Sequence, residues 1–144
     1  MTIKTDRHEH SDHCDCSDSN CAHEHHDECT DKARAVVENS LRYSDKKWVA
    51  LDAPAALGEI EASVRIKLLR IAENLAVDGV VLGHIKAIIT AGTNSCVLSV
   101  TKVDKADVKY IGGWDGEVVV REYSLTVNVL SIVNTELDVK SYLM

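Results

Sequence analysis

The stretch PAALGEIEASVRIKLLRIAENLAVDG, residues 54–79, decides the fold, because the hydrophobic period changes at its end. Within it Leu57, Ile60, Val64, Leu68, Ile71 and Leu75 recur at steps of three and four, while Glu59, Glu61, Arg65, Lys67 and Glu73 fall mostly elsewhere. That is the pattern of an amphipathic helix with one apolar stripe. Asp52-Ala53-Pro54 opens it, since proline is tolerated in a first turn, and Asp78-Gly79 closes it. The spacing predicts one long helix over about 54–77.

Downstream of Gly79 the period falls to two and β-branched residues dominate, in Val80 to Thr90, Ser95 to Val103 and Val108 to Ile111. These segments read as strands. Gly112-Gly113-Trp114-Asp115-Gly116 reads as a turn, and 117–133 as one extended run. Tyr123, Leu125, Val127 and Val129 point one way along that run, opposite to Glu122, Ser124, Thr126 and Asn128. A run so much longer than the usual strand of about five or six residues predicts a bulge or bend. A last strand is expected over 137–143.

Upstream, Ala33, Val36, Val37 and Leu41 sit at helical spacing behind Thr30 or Asp31 as N-cap, which predicts a short first helix over 31–44. The fold class expected from these elements is α+β: two helices, one of them long, packed on an antiparallel sheet of four to five strands. A sheet wrapped around the long helix and an open two-layer sandwich both fit. At 144 residues the chain holds one such domain, residues 31–144, plus an appendage, residues 1–30.

The appendage has its own chemistry. Asp6, Glu9, Asp12, Asp15, Asp18, Glu24, Asp27, Glu28 and Asp31 face only Lys4 and Arg7 in Met1–Asp31, so the net charge of −7 belongs to this segment and the rest is balanced. It has almost no apolar side chains after Ile3, which predicts a flexible tail. An acidic tail on a neutral body disfavours nucleic acid and anionic membrane as partners and favours cations. The polar N-terminus lacks the apolar core of a secretory leader, so a cytoplasmic location is expected, in which thiols stay reduced.

Six of the seven histidines and four of the five cysteines lie in this segment: His8, His10, His13, Cys14 and Cys16, then, after Ser17 to Asn20, Cys21, His23, His25, His26 and Cys29. In an extended chain residues i and i+2 project to one side, so His8/His10, Cys14/Cys16 and His23/His25 are chelating pairs. Imidazole suits zinc, nickel, copper and cobalt, and thiolate draws the choice toward zinc and Cu(I). Zinc or nickel is the expected ion, with copper or cobalt as alternatives. Ten candidate ligands at four per tetrahedral site allow up to two closed sites. The spacing of a rigid zinc module is absent. An expression tag would be a plain His run, which this is not; a solvated acidic tail and a disulfide-bonded extracellular tail are the competing bland readings.

A flexible arm of this length spans roughly 30 Å on average and near 100 Å at most, against a body radius of gyration of about 13 Å. Such reach suits storage, buffering or delivery of a metal to an accepting protein better than catalysis, which needs rigid ligands. In the body, His84 and Lys86 alternate on one strand and with Trp114 could line a groove, which would make the body a small-ligand-binding or enzymatic domain and the tail a metal sensor. Cys96, among Val97, Leu98 and Val100, reads as a buried thiol. A structural homo-oligomer joined through a sheet edge is the third reading. Nucleotide-binding and catalytic-triad signatures are absent, so the sequence nominates no enzyme.

Overall fold

The computed structural model describes residues 38–144. The ten candidate ligands of the tail, and the first half of the helix expected over 31–44, lie outside the described residues. The chain runs β1 (Leu41–Ala56), α1 (Leu57–Leu75), β2 (Ala76–Val77), β3 (Val80–Ala91), β4 (Asn94–Lys102), β5 (Lys105–Ile111), β6 (Val119–Ser131) and α2 (Val139–Leu143). All strand pairs are antiparallel, in the order β1-β6-β3-β4-β5, with β2 added to the start of β3.

This corrects the expected fold class. The domain is mainly β, with strands taking 55% and helices 23% of the described residues, and its sheet has six strands where four to five were expected. The largest departure is at Leu41–Ala56, where a helix was expected to run to residue 44. From Leu41 to Ala50 this segment pairs residue by residue with β6, from Leu41 opposite Ser131 to Ala50 opposite Glu122. Leu41, Tyr43, Val49 and Leu51 turn toward the core, so the working period here is two. A few apolar residues at helical spacing are a weak local preference, and pairing with the long strand β6 overrides it. The last strand expected over 137–143 is also absent: its residues form α2, which buries Val139 and Leu143.

The irregularity expected within 117–133 falls instead on its partner. Between Ala50 and Ala55 strand β1 advances five residues while β6 advances only from Glu122 to Val120. Pro54 sits in that bulge on an edge strand, where its missing N–H removes no ladder bond.

Helix α1 begins three residues later than the proline suggests. The Ala56 N–H donates to the Glu59 carboxylate at 3.2 Å. The Leu57 and Gly58 N–H groups donate to the carbonyls of Val118 and Gly116, both at 2.9 Å. Gly116, at the end of the Gly-rich segment, and Val118 just beyond it therefore satisfy two of the helix's unpaired donors. At the other end, Asp78-Gly79 forms a two-residue hairpin turn between β2 and β3, with φ of 52° and 79°, as such turns require.

The stripe read from the sequence is the buried face of α1: Leu57, Ile60, Val64, Leu68, Ile71 and Leu75 are at most 5% exposed. It packs on Ile85, Ala87, Ile89, Cys96, Leu98, Val100, Leu125, Val127 and Val129 from the central strands. One sheet face is thus covered by α1, and among the described residues no element covers the other, the open face. Among the described residues no helix is long and apolar enough to cross a membrane.

Candidate functional site

Residues paired directly across an antiparallel sheet share a face, so the register assigns every side chain. On the covered face run rows such as Tyr43–Val129–Ile85–Val100–Ala106. On the open face run Arg42–Leu130–His84, Ser44–Asn128–Lys86–Ser99–Asp107 and Lys46–Thr126–Ile88–Val97–Lys109. The Ser44 hydroxyl donates to Asn128 Oδ1 at 2.7 Å across the second of these rows.

In the open face lies a groove of about 480 Å³, lined by His84, Ile85, Lys86, Ser99, Thr101 and Asn128. An ammonium, an imidazole, two hydroxyls and an amide converge there with no carboxylate among them. The set can solvate an anion, by charge from Lys86 and by hydrogen bonds from the neutral donors. His84 and Lys86 are therefore together, as the strand alternation requires.

Trp114 is not with them. It lies on the covered side, stacked on Tyr110 with ring centroids 6.0 Å apart and planes inclined by 17°. The groove expected at His84, Lys86 and Trp114 is divided by the sheet itself. Tyr110 instead reaches Glu61, a carboxylate only 6% exposed that was not singled out from the sequence. The Tyr110 hydroxyl donates to it, at 3.0 and 3.1 Å from its two oxygens, and Arg65 one turn along the helix donates to Oε1. The signal was present: Glu61 falls inside the apolar stripe between Ile60 and Val64. Its arrangement satisfies a buried charge and anchors β5 to α1.

Cys96 is fully buried beneath this cluster. Burial pushes its thiol up from the ordinary 9.0 to about 11, with Glu61 adding to the rise and Arg65 opposing it. Burial likewise raises Tyr110, and its bond to Glu61 adds to that. The fold holds the Cys96 thiol neutral, so the stability it contributes is complete below pH 9 and is lost as pH climbs through 11. In urea unfolding, stability is expected to decline across that window, and Cys96→Ala to make the decline shallower. A wild-type profile flat from pH 8 to 11 would contradict this assignment.

Among the described residues no three His, Cys, Asp or Glu side chains converge as a metal site. Each of the tail candidates, His8, His10, His13, Cys14, Cys16, Cys21, His23, His25, His26 and Cys29, lies outside those residues.

No family model and no curated protein matches the chain. Among solved structures it is similar, at 15% identity over 69% of its length and a TM-score of 0.32, to a Zn(II)-bound triple mutant of YjiA GTPase, and it spans 28% of that protein's chain. A likeness at that level carries nothing across, and the functional reading rests on this chain's own residues.

Proposed function

We propose that this chain binds transition-metal ions of the zinc and nickel kind through residues 1–30, and that it stores, buffers or delivers them, with residues 31–144 as the folded carrier. The observation behind the reading is the segregation of ligands. Ten His and Cys residues fall between positions 8 and 29, and one of each, His84 and Cys96, in all that follows. The body supports it from the other side, since His84 has no partner ligands among the described residues and Cys96 is buried with its thiol protonated. A reducing, cytoplasmic setting and a metal-accepting partner protein belong to this reading, because reduction keeps the thiols able to bind metal rather than form disulfides, and delivery needs an acceptor.

Oligomerisation through the sheet edges gains less support. Both edges, β1 and β5, carry charged residues, Asp45, Lys46 and Lys47 on one and Lys105, Asp107 and Lys109 on the other, a pattern that discourages edge pairing.

Coordination needs neutral imidazole and deprotonated thiol, so protons compete with the metal. Zn(II) affinity of the full chain, followed by competition with a chromophoric chelator, is expected to fall steeply as pH drops through about 6.5. An affinity unchanged down to about pH 5 would assign the metal to carboxylates and overturn the reading.

A further inference from the structure

The open face of the sheet is cationic. Arg42, Lys46, Lys86, Lys105 and Lys109 stand on it, with His84 between them, and all are exposed. Of the carboxylates on this face, Asp107 is engaged by Lys105 at 3.1 Å, which leaves Glu122 at the far end of β6. The segment that enters the domain through this face's first strand has the opposite charge: Met1–Asp31 carries the chain's whole net −7.

The entry point is also placed for it. β1 begins at Leu41 opposite Ser131, and Ser131 lies opposite Gly83, so the chain enters one residue before the row Arg42–Leu130–His84 at the rim of the groove. The stretch of about ten residues from Asp31 to Leu41 extends to roughly 33 Å. Five strands about 4.8 Å apart are roughly 20 Å across. Every cation on the face is within reach of the acids preceding Asp31.

We propose that the acidic segment 1–31 docks in cis across the open face of its own sheet, placing its carboxylates on Lys46, Lys86 and Lys109 and over the groove beside His84. A single exposed ion pair of this kind is weak. Tethering changes the outcome, because a linker of about ten residues holds the segment at an effective concentration in the millimolar range and many pairs act together. The groove's chemistry matches, since its ammonium, hydroxyl and amide donors complement a carboxylate and it holds no acid of its own. The inference goes beyond metal binding and does not need it: the acids carry it, and the His and Cys residues take no part.

The test compares two full-length chains by amide NMR, both in chelator and reductant: the wild type, and a variant with the nine tail carboxylates replaced by Asn or Gln. At about 10 mM salt, where charges are felt over ~30 Å, the amides of Lys86, Ser99, Thr126 and Asn128 are expected to differ between the chains. The difference should vanish near 1 M salt, where screening is complete within ~3 Å, and should not change with protein concentration. A second variant, Lys46→Glu with Lys86→Glu and Lys109→Glu, alters only exposed residues and should abolish the salt response of the tail's own amides. Identical open-face spectra in the two chains would overturn the proposal, as would salt-insensitive differences. Differences that grow with protein concentration would also overturn it, by assigning the tail to a second copy. With metal excluded throughout, none of these outcomes depends on whether the tail binds metal.

Discussion

Full-length protein in which His8, His10, His13, His23, His25 and His26 become Ala and Cys14, Cys16, Cys21 and Cys29 become Ser is expected to lose at least about a thousandfold in Zn(II) affinity. Thiolate and imidazole sites of four ligands bind zinc with apparent free energies of ~10–16 kcal/mol near neutral pH. The nine acids left in the segment would hold the ion loosely, in the range of about 1 mM, or some 4 kcal/mol. The difference exceeds the ~4 kcal/mol that a thousandfold change requires. Calorimetric or chelator competition titrations measure it, and far-UV circular dichroism of the body should be unchanged, because none of the substitutions falls within residues 38–144. Substituting one cluster at a time refines the result. If His8 to Cys16 and Cys21 to Cys29 each build a site, either half-variant retains about half the capacity; if they share one, either loses most of it.

The largest effect on the domain itself is expected from Gly83→Ala. Gly83 has φ of +147°, a region that side chains rarely adopt, and an added Cβ would lie 1.9 Å from the Leu130 carbonyl oxygen and 2.7 Å from its carbon. Both are backbone atoms of β6, the central partner of β3, and cannot step aside without parting the two strands. The same place is where β3 slips in register against β4, between Val80 and Ile85. A backbone strain of about 1–3 kcal/mol adds to the clash, so the loss of stability should be at least ~3 kcal/mol. For a domain of this size that lowers the melting temperature by roughly 12 °C or more. Gly92→Ala is the control. Gly92 also has positive φ, +61°, but nothing stands within 4 Å of an added Cβ there, so only the conformational cost of about 1 kcal/mol remains. Equal losses for the two variants in urea or thermal unfolding would refute the steric account.

What the sequence disclosed follows the range of the interactions involved. The helix α1 was legible because its signal is local: six apolar residues on one stripe, each of which proves buried. Strands β3 and β4 were legible for the same reason, their alternation being visible without knowledge of any partner. Strand β1 was not. Its identity depends on β6, which follows it by some seventy residues, and the apolar positions Leu41, Tyr43, Val49 and Leu51 are interrupted by Asp45 and Lys47 at the exposed edge. An edge strand needs only part of an apolar face, so its period is easily masked by a chance helical spacing such as Val37 and Leu41.

The site divides in the same manner. Two-residue alternation placed His84 and Lys86 on one face, and the groove holds both. Trp114 was grouped with them only because it is an aromatic near a carboxylate in sequence, and no local pattern tells which side of a sheet a turn residue will cover. Its partner Tyr110 and the buried Glu61 come together through the pairing of β4 with β5 and the packing of α1, neither of which is local. The tail's candidate ligands were named from their density alone, and they lie outside the described residues.

The account rests on the metal being held by the tail's histidines and cysteines. The most direct test is native mass spectrometry with elemental analysis of untagged protein, purified without affinity resin or chelator and then supplied with Zn(II) or Ni(II), beside the full-length variant lacking all ten ligands. The account predicts about two ions retained per wild-type chain and none held stoichiometrically by the variant. Equal metal content in the two proteins would contradict it.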